Sequence, residues 1–230
     1  KPRLCIVGEP TLMQAVTAHK GKLGYQVTAH GLEAHSSLAP IGVNAVYMAA
    51  DLVQALRNEP REIAEHGKHD EGYEVHYTTL HVGRLSGGDV MNIVPNNARL
   101  DFEIRYLPED DGHAISQRIR HRAEDIAAGY RPVFRQARFE FSEVQNYPGL
   151  NTPVDSEAVR FVHELTGGNS TGKITFGTEA GMFQQALGTP AVVCGPGNIA
   201  VAHKPDEHVS GEQLAKCDAM LSRLLDRLSR

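Results

Sequence analysis

Near the carboxyl end of the chain, "AHKPDEH" places His203, Asp206, Glu207 and His208 within six positions, just after the turn "GPGN". Imidazole and carboxylate are donors that zinc and related divalent ions accept. Near the other end, "LCIVGEPT" sets Glu9 after an apolar strand and a glycine, before a proline that fixes the turn. Open α/β sheets bind ligands beyond the carboxyl ends of their strands. His203 follows the apolar run 191–194 and a glycine loop in the same way. Taken singly, Glu9 reads as a helix cap or surface acid, and His203 as a structural side chain. Together they point to one crevice, although a catalytic zinc takes three protein ligands and an open position.

The elements that must hold these residues are legible as periods. Between residues 22 and 144 the order is βαββαβ. Leu23, Tyr25, Val27 and Ala29 alternate as a strand, and Val43, Val46, Tyr47, Ala50 and Val53 fall at helical spacing. Val75, Tyr77 and Thr79 alternate up to the turn "SGGD", and Ala98, Leu100, Phe102 and Ile104 alternate after it. A helix after "PEDDG" carries Ile115, Ile119, Ala123 and Ile126 on one face, and Ala137, Phe139 and Phe141 form a last strand. That order predicts a ferredoxin-like sandwich of roughly 120 residues.

The flanks predict α/β pieces: a strand at 4–7, helices at 156–165 and 178–187, a strand at 191–194 and a long final helix. Ser210 and Gln213 stand at capping-box spacing, with Leu214, Cys217, Leu221, Leu224 and Leu228 as the expected core face of that helix. The fold class is therefore α/β: a partial catalytic domain, residues 1–20 and 145–230, interrupted by an inserted βαββαβ domain, residues 21–144. "HGKHDEG", residues 66–72, reads as a solvated loop.

A chain of 230 residues with 41% hydrophobic and 22% charged residues has globular composition. A formal charge of -5 exerts no general pull on nucleic acid or anionic lipid. No apolar run approaches the ~20 residues of a membrane span. Three distant cysteines, Cys5, Cys194 and Cys217, without Cys-x-x-Cys spacing, favour a reducing cytoplasm. "KPRLCIVGEP" lacks an initiator Met and enters an apolar strand almost at once, so residues are expected upstream.

"GEPT" (8–11), "AHKGK" (18–22), "GLEAHSS" (31–37), "NIVPNNARLDFEIR" (92–105), "GTEAG" (177–181) and "AHKPDEH" (202–208) occur in one order. As an ordered set they resemble the zinc-dependent aminoacylase and carboxypeptidase family, in particular its acetylornithine deacetylases, over essentially the whole chain. The resemblance implies a dinuclear-zinc α/β domain, with two zincs per full-length subunit and cobalt able to substitute, and an inserted lid that forms a homodimer. It implies Glu9 and His203 as metal ligands, with Asp206, Glu207 and His208 as neighbours that orient or solvate their loop. It implies His35 as the lid histidine that donates to the oxyanion in the partner subunit's site, where negative charge develops on the scissile carbonyl. It places Asn92 and Arg105 on the substrate α-carboxylate, for which a guanidinium fork is well shaped, and Thr178 and the Gly195–Gly197 turn in the pocket lining. Glu179 is a candidate partner for an ornithine ammonium. Without the resemblance Arg105 reads equally as a surface residue of its strand, and Asn92 as turn chemistry.

The family's His-x-Asp motif and Glu-Glu pair, which carry the remaining ligands and the general base, occur nowhere in the chain. The resemblance thus implies a parent that hydrolyses N2-acetylornithine or a close N-acyl amino acid in arginine biosynthesis. The 230 residues by themselves are expected to be inactive and to hold zinc weakly. A succinyl-diaminopimelate desuccinylase or carboxypeptidase shares these positions, and a non-catalytic dimerisation or binding module is the alternative of a different class. No P-loop lysine follows "CGPGN", which leaves a phosphate site unsupported.

Overall fold

A computed structural model describes residues 1–229. In chain order its elements are β1 (Cys5–Val7), β2 (Ala15–His19), β3 (Gly21–His30), α1 (Ala45–His66), β4 (Thr79–Gly87), β5 (Asn97–Tyr106), α2 (Gly112–Tyr130), β6 (Arg138–Tyr147), β7 (Leu150–Asn151), α3 (Glu157–Thr166), β8 (Thr171–Ile174), α4 (Ala180–Leu187), β9 (Ala191–Val193) and α5 (Gly211–Leu228), with short 3-10 turns at Ser36–Ile41 and Ile199–Val201. Two units partition the chain: one of residues 22–69 and 77–146, labelled the lid after the expectation above, and an α/β unit of residues 1–21, 70–76 and 147 onward.

In the lid the four strands pair in the order β4-β5-β3-β6, the ferredoxin-like arrangement expected from the βαββαβ reading. Alternation does the sorting: Leu23, Tyr25, Val27 and Ala29 on β3 and Ala98, Leu100, Phe102 and Ile104 on β5 all point into one core with both helices. The Asn44 side chain caps α1 and the Asp111 side chain caps α2. Glu59, buried on α1, is paired to Arg118 of α2 at 2.6 Å, which neutralises an acid that the core would otherwise penalise.

Three expectations for the lid need correction. The buried face of α1 is Ala45, Met48, Ala49, Leu52 and Leu56, while Tyr47 and Ala50 are exposed. The first six residues of the helix, AVYMAA, are apolar or aromatic all round, so spacing locates the helix and the sheet beneath it selects the face. On α2 it is Ala127, rather than Ile126, that is fully buried. The strand expected from Val75 begins only at Thr79 and runs through Gly87, two residues into "SGGD".

The start of β4 has a packing reason. Residues 66–72 are mostly exposed, but the next residue, Tyr73, is buried in the α/β unit. Its ring lies under two ammonium groups, with Lys20 Nζ at 5.8 Å and Lys173 Nζ at 5.4 Å from the centroid. Asp70 takes the Lys173 ammonium and also accepts from the Gly72 amide. Segment 70–76 is thereby committed to tertiary contacts and cannot extend the strand.

The α/β unit is built on a sheet in the order β1-β9-β2-β7, with β8 also pairing β2. β1 and β9 are parallel, with Val7 opposite Val193. Ser210 caps α5 as expected, but Gln213 Oε1 accepts from the Gly197 amide, so the second half of the capping box is spent on tying the helix to the glycine turn. The expected core face of α5 is the largest correction. Met220 is buried and Cys217 and Leu224 are half-buried, whereas Leu214, Leu221 and Leu228 are 47%, 47% and 74% exposed. The helix packs along a single stripe of three side chains, Cys217, Met220 and Leu224, and its apolar arc is broader than that contact. No described helix is long and apolar enough to cross a membrane.

Candidate functional site

Because β1 and β9 run parallel and in register, the loops that follow them leave the same edge of the sheet. Glu9 lies on the first and Gly195 opens the second. They meet closely: a Cβ on Gly195 would stand 2.6 Å from the Glu9 carbonyl oxygen, so only glycine fits. The Gly195 carbonyl accepts from the Met13 amide at 2.9 Å, and the Gly195 amide donates to Thr11 Oγ1 at 3.1 Å. Gly195 therefore closes the loop pair against the Glu9 backbone.

Glu9, Glu179 and His203 share one electrostatic neighbourhood. Burial raises the Glu9 carboxyl above its ordinary range, the Glu179 carboxylate raises it further, and His203 acts in the opposite direction. Glu179 stands immediately before α4 and makes no side-chain cap; Thr178 Oγ1 accepts from the Ala180 amide instead, which leaves the Glu179 carboxylate to face outward. His203 has a left-handed backbone, φ 58°, a conformation that non-glycine residues adopt at a cost. Its amide donates to Glu207 Oε2 at 3.1 Å, and His208 Nδ1 lies 3.0 Å from the Asp206 carbonyl. Glu207 and His208 thus serve the loop's own shape. A carboxylate and an imidazole are suitable zinc donors, yet among the described residues no three His, Cys, Asp or Glu form a group that could hold a metal ion. The donor types fit and their number does not, so no chemical step is derived through a metal.

The lid places His35, Asn92 and Arg105. His35 and Ile93 form an isolated antiparallel bridge, and the Ser36 amide donates to the Asn92 carbonyl at 2.9 Å, so the "AHSS" and "MNIV" segments run side by side. The Ser37 amide donates to His35 Nδ1, and the Ser37 hydroxyl lies 2.7 Å from the same nitrogen. A nitrogen that accepts from a backbone N–H carries no proton, so the neutral ring has its proton on Nε2. Arg105 is half-buried on the face of β5 away from the core, with Nε donating to Glu103 at 3.0 Å; Lys22 pairs with the same carboxylate at 3.1 Å. Burial raises the Glu103 carboxyl, but its bonds and charge pairing with Arg105 and Lys22 hold it below the ordinary range.

Sequence reasoning missed His19. It is fully buried at the end of β2, its Nδ1 is 3.0 Å from the Lys20 carbonyl, and its Nε2 accepts from the Thr178 amide at 3.4 Å. The signal available was a histidine ending the otherwise apolar run "AVTAH", inside the "AHKGK" segment already singled out.

The peptidase dimerisation domain of the M20 family matches residues 17–131. The chain belongs to the M20 family. An acetylornithine deacetylase of Myxococcus xanthus is 34% identical over 223 residues, covering 97% of this chain and 57% of that protein. A second, from Pasteurella multocida, is 30% identical over 231 residues with 98% and 57% covered. The chain thus spans little more than half the length of these M20 relatives. Among solved structures, an aminopeptidase from Bacillus cereus superposes with a TM-score of 0.72 at 19% identity, over 99% of this chain and 57% of that one. An M20 family metallo-carboxypeptidase from Sulfolobus solfataricus does so with a TM-score of 0.65 at 17% identity, over 96% and 62%. These two likenesses establish the fold.

Proposed function

We propose that the chain is part of a metal-dependent amide hydrolase that converts N2-acetylornithine and water to ornithine and acetate, in arginine biosynthesis in the cytoplasm, and that it works as a homodimer through its lid. The observation that carries this reading is the grouping of Glu9, Glu179 and His203 beyond the ends of two parallel strands. In this reading Glu9 and His203 are two ligands of a zinc centre, with cobalt as a substitute, whose other ligands come from outside the 230 residues. His35 supports the assignment because its neutral ring carries the proton on Nε2, the form that donates to a developing oxyanion. Arg105 and Asn92 take the substrate carboxylate, with Glu103 holding the guanidinium until the substrate displaces it. Thr178 and Gly195 shape the pocket, and Glu179 attracts the ornithine ammonium.

The test has two parts. After dialysis against trace zinc, the 230-residue chain is expected to hold well below one zinc and to show no turnover. Activity of this chain alone would overturn the reading of an incomplete centre. In a protein of the relatives' full length, kcat/KM is expected to favour N-acetylornithine over N-succinyl-diaminopimelate, and the reverse preference would make the enzyme a desuccinylase.

A further inference from the structure

His19 is a buried imidazole that no step of the proposed chemistry uses, and its two contacts determine its state. The Lys20 carbonyl 3.0 Å from Nδ1 can only accept, so Nδ1 carries a proton. The Thr178 amide, 3.4 Å from Nε2, can only donate, so Nε2 is bare. The ring is therefore the neutral Nδ1–H tautomer, in agreement with the lowering of its pKa by burial. Leucine or phenylalanine at this position would bury the Thr178 amide without its acceptor, a costly arrangement.

From Thr178 the contacts lead to the candidate site. Thr178 is itself buried, and its hydroxyl oxygen accepts from the Ala180 amide at the start of α4. Glu179 lies between these two anchored residues, and its carboxylate acts electrostatically on Glu9. The partners on either side of the imidazole are separated by about 160 residues of chain, and β2 and β8 pair with His19 opposite Ile174, four residues before Thr178.

We propose that His19 is a positioning residue: its neutral ring pins the Thr178 amide, and through it the turn that aims the Glu179 carboxylate at the Glu9 side of the site. This rests on the reading of Glu9, Glu179 and His203 as one site, but its test does not depend on turnover. Glutamine at position 19 presents an amide donor and a carbonyl acceptor about as far apart as the two ring nitrogens, whereas phenylalanine fills the space and offers neither.

Nitrogen-15 spectra of the 230-residue chain at neutral pH are expected to show His19 with a protonated Nδ1 and a bare Nε2. Amide hydrogen exchange at Thr178 is expected to be about tenfold faster in His19→Phe and close to wild type in His19→Gln. The Cys194 amide, bonded to the Val7 carbonyl at 2.9 Å, reports the sheet and should be unchanged in both. An Nε2–H tautomer, a charged ring, or equal Thr178 exchange in the two variants would overturn the proposal. So would loss of Cys194 protection in His19→Gln, which would make the residue a general packing element. A failure of the acetylornithine reading would leave these signals in place, and their failure would leave that reading standing.

Discussion

The lid and the α/β unit are of similar length and differ in how they treat apolar surface. In the lid, sheet and helices close over one continuous core, and the exposed apolar side chains lie mostly in loops, with Leu38, Ile41, Val90, Met91 and Ile93 on the two segments joined by the His35–Ile93 bridge. In the α/β unit the buried residues form two smaller clusters, and both α4 and α5 leave large apolar side chains exposed: Met182, Phe183 and Leu187 on the first, Leu214, Leu221, Leu225 and Leu228 on the second. The candidate donors Glu9 and His203 belong to the unit with the less complete core. Packing is more self-contained in the lid, and stability should be concentrated there.

The sharpest way to break this contrast is a truncation in each core. Ile104→Ala empties a fully buried position of β5 and should cost about 2–5 kcal/mol, read from the shift of the denaturation midpoint. A smaller loss would show that the lid core relaxes more readily than its packing indicates. Tyr73→Ala comes next. It removes a buried ring from beneath Lys20 and Lys173 and should cost roughly 3 kcal/mol, with faster exchange confined to the α/β unit. A negligible cost would mean that segment 70–76 is only loosely attached.

The third prediction separates the units by pH. Burial lowers the His19 pKa in the folded chain, so below about 6.5, the ordinary histidine value, the unfolded chain takes up a proton that the folded one refuses. The stability contributed by the neutral ring is complete above that pH and declines as pH falls below it, by up to about 1.4 kcal/mol per pH unit while the folded ring remains neutral. Comparing wild type with His19→Gln isolates this slope, and parallel curves would refute it. Smallest of all, Leu225→Ser on the exposed face of α5 should change stability by less than about 0.5 kcal/mol. A large loss would mean that this face is packed against something, and the contrast between the units would narrow.

Much of the fold was legible in the sequence because the signals are local. Alternation at Leu23 to Ala29 and at Ala98 to Ile104 is the geometry of a pleated strand with one buried face, "PEDDG" marks the start of α2, and Ser210 caps α5. Glu9 and His203 were also visible, since each follows an apolar strand and a glycine. Periodicity could not choose the buried face of α1, whose first six residues (AVYMAA) are all apolar or aromatic, nor show that α5 carries more apolar surface than α3 covers. It was silent about Tyr73, whose burial depends on two lysines far away in sequence.

By itself, then, the sequence determined the βαββαβ order, the starts of α2 and α5 and the two candidate donors, because each is written in the spacing of neighbouring residues. Only the tertiary structure decided that Glu179 acts on Glu9, that Arg105 rests on Glu103, and that His19 holds Thr178. The Glu179 and Thr178 pairings close loops of well over a hundred residues. The Arg105 pairing, only two residues apart, needed the flat exposed face of β5 to set both side chains on one side. The two long-range pairings follow from which strands and loops lie adjacent, and no local period records that.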